Sequence, residues 1–175
     1  MTRLVMSRSE ELGLLSSLQQ RSTERASPAT LESWSQATQM TAEEMAAVLA
    51  YRRNAVIAST RADGRPHAVP GGFVFVGGEV WLPTSSGAVR QRNVARHPSL
   101  TMVVTEGDGA DHAALLIEGP AREIGLTDAP PAVSATYEEK YGQRADWAGS
   151  WLVLIPKRVL SHRAEAWSAP SPLRG

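Results

Sequence analysis

The chain has 175 residues, 18 basic and 18 acidic side chains, and no cysteine. A net charge of zero argues against a general nucleic-acid binder, and the lack of thiols excludes disulfides, thiolate nucleophiles and cysteine-ligated zinc or iron–sulfur centres. No apolar run approaches the roughly 20 residues that span a bilayer, and Arg8, Glu10 and Glu11 interrupt any signal-like segment, so a cytoplasmic protein with no membrane or nucleic-acid partner is expected.

The first 52 residues read as helical. Ser7-Arg8-Ser9-Glu10 has the spacing of a capping box, with Leu12, Leu15 and Leu18 following on one face. Ser27-Pro28 reads as an N-cap followed by proline in the first turn, which sets Leu31 and Trp34 on one face. Thr41-Ala42-Glu43-Glu44 is a second capping box, flanked by Met40 and Met45 at staple positions, and Val48, Leu49 and Arg52 extend that helix.

Beyond Arg53 the period becomes extended. Ala55–Thr60 is a strand, Asp63-Gly64 a hairpin turn, and a second strand runs from Pro66 to Val69. Pro70-Gly71-Gly72 is expected to interrupt it, with Phe73–Val76 resuming after the break. Gly77-Gly78 makes another hairpin into Glu79–Leu82. A short helix capped by Ser85 or Ser86 should follow, continued by Val89 to Arg96 and stopped by His97-Pro98. Strands at Leu100–Thr105 and from His112 toward Ile124 follow, joined by Gly107-Asp108-Gly109. Asp128 should cap a helix bearing Val133, Tyr137 and Tyr141 and ending at Gly142. Trp151–Ile155 is an unbroken apolar strand, expected to be buried on both faces, and Val159–Arg163 is a last strand. Hairpin-linked strands with helices set aside give an α+β fold, and an antiparallel barrel is the simplest closure. Three regions follow: a helical extension over 1–39, a core domain over 40–168, and a loose tail over 169–175.

Two stretches carry candidate chemistry. Pro83 to Pro98 sets Thr84, Ser85 and Ser86, then Arg90 and Arg92, at a strand-to-helix junction. Helix N–H groups, hydroxyls and guanidinium forks together suit a phosphate. The same residues also describe an ordinary serine-capped basic helix. In His67-Ala68-Val69-Pro70-Gly71-Gly72, small residues would let a flat ring lie on bare backbone; a β-bulge bending the strand is the alternative. The four histidines have no zinc spacing, and no nucleophile elbow, P-loop or dinucleotide fingerprint is present, so no metal is expected and no catalytic side chain stands out. Trp81 and Trp151 read as core, whereas Trp34, Trp147 and Trp167 are candidates for a cleft or an interface, with packing the simpler role.

Asp63-Gly64-Arg65-Pro66, Val69-Pro70, the Gly-Gly hairpin, Trp81-Leu82-Pro83-Thr84, Arg90-Gln91-Arg92-Asn93-Val94 and His97-Pro98 occur in an order that resembles the pyridoxamine-phosphate-oxidase-related superfamily. The Tyr137–Gly142 helix and the Ile155–Val159 segment are similar to the same group. The resemblance covers about Met40 to Arg163. It implies a split β-barrel with FMN or the deazaflavin coenzyme F420 as cofactor, and a homodimer with cofactor sites at its interface. It also implies an oxidoreductase that moves a hydride between that cofactor and a small organic substrate. A non-catalytic cofactor- or tetrapyrrole-binding protein is the alternative on the same fold. By the same resemblance, His67, Ala68, Val69, Pro70 and Gly71 run along the ring system, Thr84, Ser85, Ser86, Arg90 and Arg92 lie near the phosphate, and Asn93 tightens the turn. Arg90 stands where the family usually has lysine. His67-Ala68-Val69 replaces the neighbourhood in which the strict oxidases carry an FMN-gripping arginine, so synthesis of pyridoxal phosphate is not expected.

Overall fold

The computed structural model describes residues 6–171. It contains five helices, α1 (Arg8–Glu24), α2 (Pro28–Ser33), α3 (Ala42–Tyr51), α4 (Val89–Arg96) and α5 (Pro131–Tyr141), with a 3-10 turn at Gln36–Thr38. Eight strands run β1 (Asn54–Thr60), β2 (Pro66–Gly72), β3 (Val74–Val76), β4 (Glu79–Thr84), β5 (Ser99–Glu106), β6 (Ala113–Gly125), β7 (Ser150–Leu154) and β8 (Arg158–Arg163). All pairings are antiparallel, in the order β2-β1-β5-β6-β7-β4-β3, with β8 also on β6. This is the expected α+β split barrel. Among the described residues no helix is long and apolar enough to cross a membrane.

Local turn chemistry sets the hairpins. Gly64 takes φ +82° between β1 and β2, while Asp63 Oδ1 accepts from the Arg65 N–H at 3.1 Å. Gly77 and Gly78 both have positive φ, at +63° and +77°, a turn whose twist matches that of the flanking strands. Both capping boxes form: Ser7 with Glu10 starts α1, and Thr41 with Glu44 starts α3.

The 13-residue β6 holds the two half-sheets together. Its first half pairs with β5 and β8, and its last five residues, Ala121–Gly125, pair with β7. Registers place Val69, Ile57, Met102, Ile117 and Val159 in one row across five strands. All but the half-buried Val69 are core residues, joined there by Val80, Leu82, Leu152 and Leu154 from the other half-sheet. Trp81, Trp151 and Val153 point the other way and pack with Val133 and Tyr137 of α5. β7 is buried along its whole length, as its apolar run requires.

The N-terminal helices close the first core. Leu15 and Leu18 of α1 are 0% and 3% exposed, and burying each contributes about 1.5–3 kcal/mol. Ser22 Oγ accepts from the Val159 N–H at 2.9 Å, and Gln19 Nε2 donates to the Met40 carbonyl at 2.9 Å. Thus α1 packs along β8 and shares the barrel's core.

Four local expectations change. β2 is continuous through Gly72, with Val56 opposite Pro70, so neither an interruption nor a bulge occurs at Pro70-Gly71-Gly72. β2 is an edge strand, where a missing N–H can face away from the ladder; the break falls one residue later, at Phe73. α4 is not capped by Ser85 or Ser86: its N-cap is Ala88, reached through a turn with Gly87 at φ +74°. α5 begins at Pro131 after Pro130, not at an Asp128 cap, because proline fixes the first-turn φ unaided. Ala169 packs on the core and Pro170 is buried, so the described start of the tail is held; residues 172–175 lie outside the described chain.

At the bend of β6, a Cβ on Gly119 would stand 1.9 Å from the Ile155 carbonyl oxygen. Ile155 and Lys157 donate back to the carbonyls of Pro120 and Glu118 at 2.9 and 2.8 Å, which leaves that oxygen little freedom to retreat. Gly119→Ala should therefore cost about 1–3 kcal/mol or more in urea unfolding. Wild-type stability in this variant would contradict the close approach.

Candidate functional site

The site follows from strand register. His67, Val69 and Gly71 of β2 share the inward face with Ser59, Ile57 and Ala55 of β1, whereas Ala68 and Pro70 point outward and are exposed. The five predicted ring-side residues therefore divide between two faces. α4 crosses the inward face, anchored by Asn93: its buried Nδ2 donates to Ser59 Oγ at 3.0 Å. In the described structure Asn93 holds helix to sheet, while Arg92 is exposed and turns back to the Gly87 carbonyl.

Arg90, the second residue of α4, reaches between β2 and β4. Its Nη2 donates to the Pro83 carbonyl at 2.6 Å and its Nε to Thr84 Oγ1 at 3.2 Å. Nη1 lies over Gly71, only 2.8 Å from where a Cβ would stand, so the glycine makes room for the guanidinium. Burial pulls the Arg90 pKa below its ordinary value, and no carboxylate pairs with it among the described residues. A half-buried, uncompensated cation with a donor left over favours an anion. The exposed hydroxyl-bearing residues Ser85 and Ser86 follow Thr84, and Ser86 is pressed against Gly149. On the same face of β2, His67 Nδ1 is buried without a hydrogen-bond partner. The structure thus gathers Gly71, Thr84 and Arg90 directly, with Ser85 and Ser86 next in the chain.

Sequence reasoning missed Gly149 and Ser59, which fit Ser86 and Asn93 only through tertiary contact. It also missed a second location. A cavity of about 730 Å³ lies between α1, α3, β3 and α5, and none of the eleven predicted site residues lines it. On its wall, the Lys140 Nζ donates to the Leu49 carbonyl at 2.8 Å and sits 3.8 Å from the Phe73 ring centre. Next to it, the Tyr141 hydroxyl accepts from the Phe73 N–H at 2.8 Å and donates to the Arg53 carbonyl at 2.5 Å, clasping the end of β2 to the start of β1. Burial, then the charge of Arg53, push the Lys140 pKa down to about 7, and burial pushes the Tyr141 phenol up to about 12. Among the described residues, no three histidine or carboxylate side chains are grouped as for a metal. Trp167 is buried with its Nε1 on Glu106 at 2.6 Å, whereas Trp147 is 53% exposed.

An antiparallel split barrel closed by α4 over the inward faces of β2 and β1 defines a protein of the split-barrel fold of the pyridoxamine 5'-phosphate oxidase type. The chain belongs to the pyridoxamine 5'-phosphate oxidase family, whose model matches residues 41–169. Among solved structures it is similar to the conserved hypothetical protein Rv2991 of Mycobacterium tuberculosis, with TM-score 0.64 and 18% identity over 78% of this chain and 96% of that one. HutZ, the heme storage protein of Vibrio cholerae, aligns with TM-score 0.59 and 18% identity, over 70% of this chain and 95% of that one. The FAD binding protein of Mycobacterium smegmatis aligns with TM-score 0.54 and 20% identity, over 72% and 98%. No curated protein matches in sequence.

The folded chain releases the Lys140 proton near pH 7, whereas an unfolded lysine keeps it to about 10.5. Unfolding between these values takes up a proton, so stability should rise with pH across that interval. Urea unfolding from pH 7 to 9 should show a positive slope that Lys140→Met reduces. An unchanged slope in the variant would contradict a depressed Lys140.

Proposed function

We propose that the protein is an oxidoreductase that binds FMN or coenzyme F420 at the Arg90 seat and passes a hydride between it and a small conjugated organic substrate. The observation that carries this reading is the Arg90 guanidinium, half-buried over Gly71 with no carboxylate partner among the described residues. The donor set fits a cofactor phosphate: Arg90 Nη1 and the hydroxyls of Ser85 and Ser86 are the groups that would hold it. His67, Val69 and Gly71 would flank the ring on the inward face, and the orphaned His67 Nδ1 offers it a polar contact. The hydride chemistry belongs to the cofactor; the protein orients it and limits water.

Haem-binding and FAD-binding proteins share this fold, which supports tetrapyrrole binding without turnover as the second reading. The two readings separate in one experiment. Purified protein is titrated with FMN and with F420, followed by fluorescence, and with hemin, followed by its Soret band. Saturable binding of one flavin-type cofactor, weakened at least about ten-fold in Arg90→Ala, supports the first reading. Hemin binding alone overturns it, as does wild-type cofactor affinity in the variant.

We also infer that the working unit is a homodimer. On the outer face of the sheet, registers align Pro70, Val56, Val103 and Leu116 across four strands, and Val56 is 47% exposed. A continuous apolar row suits a second copy. Val56→Asp should convert a dimer to a monomer in light scattering; an unchanged mass would remove this surface from the interface.

A further inference from the structure

Lysine is scarce in this chain. Of its 18 basic residues only Lys140 and Lys157 are lysines; all others are arginine, which stays protonated at any physiological pH. Lys157 is exposed, whereas Lys140 lines the cavity between α1, α3, β3 and α5. No carboxylate lies within ion-pair distance of Lys140 among the described residues; its Nζ is fixed instead by the Leu49 carbonyl and the Phe73 ring. Burial without a counter-ion leaves a large neutral fraction of this amine near pH 7.

The surrounding walls complete a ligand site of definite chemistry. Ala46, Leu49, Val74 and Phe75 give an apolar floor. Arg8, Arg52 and Arg53 line the same cavity with Glu11 and Glu139, so guanidinium groups outnumber carboxylates there. Glu11 accepts from the Gly77 N–H and Arg52 pairs with Glu106, whereas neither Arg8 nor Arg53 is paired with a carboxylate among the described residues. Arg53 Nη2 is steadied on the Tyr141 carbonyl at 3.1 Å. A guanidinium attracts an anionic head, the floor accepts a hydrocarbon body, and the amine accepts a carbonyl carbon.

We propose that this cavity is a second ligand site, separate from the Arg90 seat, for a small anionic aldehyde with an apolar body, held as a reversible imine on Lys140. The Nζ lone pair forms the bond to the carbonyl carbon. The carbonyl oxygen leaves as water with the two amine protons, no oxidation or reduction occurs, and hydrolysis reverses the step. The site stands or falls independently of what Arg90 binds.

The full-length protein is incubated at pH 7 with para-carboxybenzaldehyde and cyanoborohydride, and the two lysines are compared by peptide mass mapping. Labelling of Lys140 should saturate with probe, exceed that of Lys157 by roughly ten-fold or more, and slow when para-toluate, the same anion without the aldehyde, is added. Equal or faster labelling of Lys157 overturns the proposal. So does labelling of Lys140 by uncharged benzaldehyde at the same rate, because that would show a reactive amine without an anion site.

Discussion

One strand carries two half-sheets, and the rest of the molecule depends on that constraint. β6 pairs with β5 and β8 along its first half and with β7 along its second. Gly119 marks the change because only a residue without a side chain lets the returning Ile155 carbonyl pass so closely. The first half fixes the row from Val69 to Val159, and the second brings Leu152 and Leu154 against the same core. The inward faces of β2 and β4 are thereby set beside one another, and Arg90 reaches from α4 to both.

Two half-buried cations illustrate how differently arginine and lysine meet the same problem. Neither Arg90 nor Lys140 has a carboxylate to neutralise it among the described residues. Arginine cannot shed its proton under ordinary conditions, so Arg90 spends two of its donors on Pro83 and Thr84 and keeps a charge that seeks an anion. Lysine can shed it, and desolvation moves Lys140 in that direction. One cation is thus permanently charged and the other only conditionally so.

Local chemistry made much of this fold legible. Asp63-Gly64 and Gly77-Gly78 specify their turns through glycine's access to positive φ. Ser7 with Glu10 and Thr41 with Glu44 specify helix starts through bonds that span only three residues. Where tertiary context decides, sequence reading failed. Pro70 reads as a break unless the strand is known to be an edge. Ser85 and Ser86 read as caps unless the turn at Gly87 is known to move the N-cap two or three residues on, to Ala88. The contact of Arg90 with Gly71 joins residues 19 apart in the chain, and no periodicity announces it. The Lys140 environment was hidden for the same reason: Leu49 comes from α3, Arg53 from the link between α3 and β1, and Phe73 from the break between β2 and β3, all far from residue 140 in the chain.

The prolines on the two lips of the opening have a lasting effect. Pro66 and Pro70 on β2 occupy alternate positions of the same parity, so both blank the same side of the strand, and Pro83 on β4 likewise has no N–H. A sheet zips shut only where donors meet acceptors. Across this seam the donors are depleted by covalent structure, and β2 and β4 are not paired. The Pro83 carbonyl accepts from the Arg90 guanidinium. Where the backbone leaves β2 and β4 unpaired, the Arg90 side chain spans from one lip to the other, so a single guanidinium stands in for a ladder.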